Sequence, residues 1–187
     1  MGTGILFSCT ACKYSKDLSF GVGMMYSPNA VFYGRCNDAT QNWSVAFPNG
    51  YCENDNPLLL SLVKEEKTKE KAFGFLSKGA KPDGYKYGHE AYICPKCKCL
   101  ETRFYFRLKK EDVMYEPDYR CEKCVSSLKR THFLDTNKKV IENIQNIDYD
   151  GISKVFICYY ENDASVIWNC PDCDNDHFKG EISIHWD

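Results

Sequence analysis

YICPKCKCLETRFYFRLKK, residues 92–110, decides the architecture. Ala91, Tyr92 and Ile93 read as a short apolar strand that runs into Cys94. Two cysteines follow with two residues between them, then a polar turn. Beyond Cys99 the chain alternates. Thr102, Phe104, Phe106 and Leu108 fall on one side, and Arg103, Tyr105, Arg107 and Lys109 on the other. A period of two belongs to a strand. Strand, Cys-x-x-Cys turn, strand is the order of a zinc knuckle. A redox Cys-x-x-Cys sets its first cysteine at a helix start, and no apolar helix pattern follows here.

The same spacing recurs. Cys9/Cys12, Cys121/Cys124 and Cys170/Cys173 join Cys94/Cys97, so eight of the 12 cysteines stand in pairs. A tight turn lets both sulfurs reach one ion while backbone amides point at them. Zn²⁺ takes four ligands in a tetrahedron, so each pair is half a site and four pairs make two closed centres. The expected cofactor is therefore two zinc ions on Cys9, Cys12, Cys94, Cys97, Cys121, Cys124, Cys170 and Cys173. Iron–sulfur clusters use the same atoms, but their common spacings crowd three or four cysteines together.

Two pairings are open. A nested one joins Cys94/Cys97 to Cys121/Cys124 and ties the chain ends through Cys9/Cys12 and Cys170/Cys173. A sequential one joins Cys9/Cys12 to Cys94/Cys97, then Cys121/Cys124 to Cys170/Cys173. The sequential pairing is preferred, because it yields two analogous units. Cys99 and His177 could compete as ligands, but the spacing makes Cys99 a spare thiol. Cys36, Cys52 and Cys158 read as small buried residues.

Helical patterns fall between the knuckles. Asn56-Pro57 opens one, Leu59, Leu62, Val63, Ala72, Phe73 and Leu76 supply its apolar face, and Gly79 ends it, as one bent helix or two short ones. Thr136 caps a second, with Val140, Ile141, Ile144 and Ile147 as a stripe. Val31-Phe32-Tyr33 and Trp43 to Phe47 read as strands, and Asn49-Gly50 as a turn. The expected fold class is α+β: β-rich tandem zinc ribbons, with two four-cysteine sites and helical insertions. Residues 1–110 form the first unit and 111–187 the second, unless they merge into one composite domain.

The resemblance these motifs carry is to zinc-ribbon proteins: YICPKC at 92–97, YRCEKC at 119–124 and WNCPDC at 168–173. The opening SCTACKYSKDLSFGVGMMY, at 8–26, also resembles the start of uncharacterised small bacterial proteins with several Cys-x-x-Cys knuckles. Ribbons often carry glycine after a knuckle's second cysteine; here Lys13, Lys98, Val125 and Asp174 stand there. The resemblance implies zinc. It does not choose among DNA, RNA and protein as the partner.

Composition narrows the function. The chain has 187 residues, 24 Lys plus Arg against 26 Asp plus Glu, and a formal net charge of -2. Eight thiolates less two Zn²⁺ add -4 and lower this to about -6, which disfavours indiscriminate nucleic-acid binding. The N-terminus lacks a basic start and a long apolar stretch, so no signal peptide is expected and the thiols point to the cytoplasm. No membrane association is expected.

Four-cysteine centres leave no open position for water. There is no HExxH, and no deaminase pattern. The expectation is a non-catalytic adaptor that binds another protein, with Tyr115, Trp168 and Trp186 as candidate anchors. The alternative is single-stranded nucleic acid on Arg103, Tyr105, Arg107, Lys109, Lys110 and Arg130, where residues 96–130 carry a local +4 from ten basic and six acidic residues. An enzyme of unknown class ranks below both.

Overall fold

The structure, a computed structural model, describes residues 2–22, 28–33, 59–84, 86–142, 144 and 152–186. The chain divides into two compact units that interleave along the sequence. The first comprises Met1–Gly21, His89–Arg103 and Tyr119–Asp187, and the second Val22–Gly88 and Phe104–Asp118. The expected cut at 110/111 falls inside the second unit.

The first unit is a closed barrel. Its strands are β1 (Gly2–Cys9), β2 (Ser15–Gly21), β4 (Gly88–Ile93), β8 (Lys129–Leu134), β9 (Ile152–Glu161) and β11 (Phe178–Trp186). β1 pairs antiparallel with both β2 and β11, β11 pairs with β9, β9 with β8, β8 with β4, and β4 with β2. That circuit returns to its start with six strands, so none of them is an edge. Two further strands flank it: β5 (Leu100–Tyr105) beside β4, and β10 (Ala164–Ile167) beside β9. Asn162 and Asp163 both have positive φ, 49° and 64°, at the β9–β10 turn. Two left-handed central residues give the twist a tight hairpin needs.

The barrel core follows from alternation. Ile5, Phe7 and Cys9 are buried on β1, Leu18 and Phe20 on β2, Ala91 and Ile93 on β4, Val155, Ile157 and Tyr159 on β9. Phe7 stacks on Phe133 at 5.1 Å, and Phe20 meets both rings edge-on at 6.2 and 5.5 Å.

The second unit holds the helices: α1 (Pro28–Tyr33), α2 (Leu59–Leu62) and α3 (Glu66–Leu76). It also holds a small sheet of β3 (Lys81–Pro82), β6 (Leu108–Lys110) and β7 (Val113–Tyr115). Phe32 packs on Tyr87 and Phe106, and Tyr115 stacks on Phe75 at 5.0 Å. Gly79 ends α3 as expected: at φ +83° its N–H reaches the Leu76 carbonyl at 2.8 Å.

The expected α+β ribbons with helical insertions are therefore corrected. Over the described residues the chain is mostly β, 45% strand and 14% helix, around a closed barrel. Two local readings change with it. Val31-Phe32-Tyr33 lies in α1, not in a strand. The expected helix from Thr136 is a turn over its described start. Asp135 Oδ1 accepts from the amides of Asn137 and Lys139, both at 2.8 Å, and Lys138 has φ 59°. Ile141 N–H then returns to the Phe133 carbonyl at 2.8 Å, continuing the sheet. An Asp that grips its own downstream amides competes with a helix for them. Trp43 to Phe47, Asn49-Gly50 and Ile147 lie outside the described residues.

Candidate metal centres

The barrel's pairings bring the knuckles together. β1 runs directly into Cys9, which pairs with Phe178 at the start of β11, just beyond Cys170 and Cys173. Cys9, Cys12, Cys170 and Cys173 consequently converge, their ligand atoms all within 4.8 Å of one another. In the same way β4 runs into Cys94, and Ile93 pairs with Lys129 of β8, just beyond Cys121 and Cys124. The nested pairing is the one that forms. The preferred sequential pairing is corrected: a knuckle follows its strand's partner in space, and β1 and β4 find their partners far along the chain.

All four turns use the same bond. The amide of the first cysteine donates to the carbonyl five residues on: Cys9 to Tyr14, Cys94 to Cys99, Cys121 to Ser126, and Cys170 to Asn175, at 2.8–2.9 Å. In the last three, the amide four residues on returns to the first cysteine's carbonyl at 2.9 Å. That returning residue is left-handed: Lys98 at φ 60°, Val125 at 62° and Asp174 at 62°. These are three of the positions where the ribbon glycine is missing.

The sulfurs fit an ion. In the first centre Cys9 Sγ is 3.5 Å from Cys173 Sγ, and Cys12 Sγ is 3.6 Å from Cys170 Sγ. A tetrahedral ion with metal–sulfur bonds of about 2.3 Å spaces its sulfurs about 3.8 Å apart. Such distances are far beyond a disulfide bond of about 2.0 Å, and the ten described cysteines are all free. Backbone amides aim at the sulfurs, among them Ala11 N–H at 3.4 Å from Cys9 and Tyr14 N–H at 3.4 Å from Cys12.

These donors set the acidity of the metal-free thiols. Burial opposes ionisation of Cys9, but the Ala11 and Cys12 amides and the Cys173 thiol outweigh it and hold Cys9 down at about 7. In the second centre the Ser126 hydroxyl and amide, with Cys94, lower Cys124 to about 6. Burial pushes Cys94 up to about 12.

The second centre has a member the spacing did not assign. Cys94, Cys97, Cys99 and Cys121 lie mutually within 4.8 Å. Cys99 Sγ is 3.3 Å from both Cys97 and Cys121, and Cys124 Sγ is 3.3 Å from Cys94. The signal for Cys99 was present in the sequence. It sits five residues after the knuckle's first cysteine, where the turn folds back onto Cys94. His177 is a neighbour of the first centre through its backbone: its carbonyl accepts from Thr10 N–H at 3.3 Å and from Asn175 Nδ2 at 2.7 Å. Its ring pairs with Asp176. Cys158 is buried in β9, and Cys36 and Cys52 lie outside the described residues.

Trp168 stands between the two centres. Its indole N–H donates to the Lys98 carbonyl of the second knuckle at 3.1 Å. Its ring stacks on Phe178 at 4.9 Å and lies 6.0 Å from Tyr14, two residues past Cys12. Fully buried, it is a core residue. The side chain of Trp186 lies outside the description, and Tyr115 packs within the second unit.

The basic residues are mostly engaged. Arg103 is 5% exposed, paired with Glu101 and, at 3.1 Å, with Glu122. Tyr105 is buried and its hydroxyl donates to Glu116 at 3.2 Å. Arg107 binds Glu116 at 2.6 Å and Asp83 at 3.2 Å, and Arg130 pairs with Glu90. Lys109 is exposed and Lys110 half-buried, both on β6. Arg103 and Arg130 belong to the first unit, and Tyr105, Arg107, Lys109 and Lys110 to the second. β5 ends at Tyr105, and its last three residues are buried, so the expected alternation of apolar and basic faces stops at Thr102.

Comparison with protein-family models, curated proteins and solved structures finds no match to this chain. The two cysteine groups are consistent with zinc-ribbon-like sites, set here on a barrel. No helix among the described residues is long and apolar enough to cross a membrane.

Proposed function

We propose that the protein is a zinc-binding, non-catalytic module that acts by contact with another protein, its two zinc ions serving the fold. The observation that carries this reading is the ligand chemistry. Each centre offers at least four thiols within 4.8 Å of one another, and an all-thiolate set suits Zn²⁺ and leaves no site for substrate water. When bound, the ions supply cross-links between distant strands and no reaction step.

Exposed apolar side chains support protein contact. Val113 and Met114, 57% and 49% exposed, stand on β7, an edge of the small sheet among the described residues. An edge strand with apolar side chains offers both backbone and side-chain contacts to a partner. The basic aromatic strand supports nucleic acid less, because Arg103, Tyr105 and Arg107 each already hold a carboxylate.

Native mass spectrometry of the purified chain tests the metal: two zinc ions are expected, and a chain that folds without metal rejects the reading. Binding of single-stranded DNA and RNA across a salt titration tests the partner. Tight, salt-sensitive binding that Arg103→Ala/Arg107→Ala abolishes, with zinc retained, would replace protein by nucleic acid.

A further inference from the structure

The second centre holds one thiol more than a tetrahedral ion takes. Cys94, Cys97, Cys99 and Cys121 form one complete set. Cys124 lies 3.3 Å from Cys94 and also meets Cys121, so a fifth thiol reaches the same centre beside its two buried cysteines. Among the described residues the first centre has no such fifth cysteine.

We propose that the second centre is a four-of-five zinc site, in which Cys99 and Cys124 alternate as the fourth ligand and the displaced thiol is open to electrophiles. This rests on the zinc reading of the site.

Two features support exchange over a fixed choice. Each alternating thiol has a partner for its time off the metal. Cys99 donates to Glu101 Oε1 at 3.3 Å, and Cys124 accepts from the hydroxyl and amide of Ser126. Glu101 is itself held in place, paired with Arg103 and accepting from the Glu122 amide at 3.2 Å. The second feature is access. Cys97, Cys99 and Cys124 are each partly exposed, whereas Cys94 and Cys121 are buried. The buried pair anchors the ion, and the exchange takes place on the side that solvent reaches.

Exchange has a chemical consequence. A thiol released from the ion can be alkylated while four others remain. With iodoacetamide, sulfur bonds to the methylene carbon, iodide leaves, and the thiol proton passes to buffer. The zinc ion keeps four thiolates and stays.

The test uses the full zinc-loaded chain and native mass spectrometry. Cys99→Ser and Cys124→Ser are each expected to keep two zinc ions, and the double variant to keep one. A drop to one ion in either single variant overturns the proposal, and so does a double variant that keeps two. Because a serine at a knuckle can impair folding, unmodified chain is also treated with iodoacetamide and mapped by peptide mass. Labels on Cys36, Cys52 and Cys158 are counted apart. The expected label divides between Cys99 and Cys124 with both ions retained. Label confined to one of them, or zinc loss in step with labelling, overturns the proposal. Wild-type chain with two ions but no exchange sinks the exchange alone, whereas wild-type chain without zinc sinks the zinc reading as well.

Discussion

Val125 shows what a single residue costs a knuckle. It closes the third turn at φ 62° and is 72% exposed. A β-branched residue is strained there, since left-handed geometry costs an L-residue about 1–2 kcal/mol. Glycine escapes that cost but adds about 0.5–1 kcal/mol of chain entropy. Val125→Gly is therefore expected to stabilise the zinc-loaded chain by up to about 1 kcal/mol, read as a higher midpoint in urea. Lys98 shares the geometry, but its carbonyl also accepts from Trp168, so Lys98→Gly is the less clean experiment.

Thiol acidity belongs to the same scale. Cys9 is held at about 7 and Cys124 at about 6, so in the metal-free chain these thiols are among the last to protonate, with Cys9 only about half ionised at neutral pH. Metal requires thiolates, and protons compete for them. The sign follows: affinity rises with pH, and falls steeply once pH drops through 7 and then 6, where these last thiolates protonate. Zinc retention followed by a chromophoric chelator between pH 8 and 5 should show this loss. Retention unchanged at pH 5 would contradict the assignment of these thiols as ligands.

At the scale of elements, the first centre and the barrel share a core. Cys9 and Cys170 lie in the same buried cluster as Phe7, Phe133 and Trp168. Phe7→Ala removes a ring stacked on Phe133 and is expected to cost about 3–5 kcal/mol, measured by denaturant unfolding of the zinc-loaded chain. Trp168→Phe is subtler. It keeps an aromatic ring against Phe178 but removes the indole bond to the second knuckle. A loss of about 1 kcal/mol is expected, concentrated in zinc affinity at the second centre. Competition with a chelator, with the two ions resolved by mass, would show whether that centre weakens first.

Taken whole, the molecule gathers its described candidate metal ligands in one unit. All nine clustered cysteines belong to the barrel unit, and the second unit carries its own aromatic packing around Phe32, Phe75, Phe106 and Tyr115. Stripping zinc should therefore raise hydrogen exchange in β1, β4, β8 and β11 while α3 and the β6–β7 hairpin keep their protection. Equal loss of protection in both units would show that the ions support the entire chain.

Much of this was legible in local sequence. The knuckles, the strands that lead toward Cys9, Cys94 and Cys170, the α3 stop at Gly79 and the turn at Asn162-Asp163 all follow from residues within a few positions of one another. Spacing alone tells which sulfurs can share a turn. Which turns share an ion is a different kind of fact, because it depends on strand pairs separated by most of the chain. Gly2 to Cys9 bonds Phe178 to Trp186, and no local pattern encodes that registry. The same holds for Cys99, drawn into a cluster only when Cys121 arrives beside it, and for Arg103, whose charge looks free in the sequence and is neutralised by Glu101 and Glu122 in the fold. Local chemistry determined that this chain has sulfur-rich turns on strands. Tertiary structure decided which turns meet, because closing the barrel pairs all six of its strands at once and carries the thiols along.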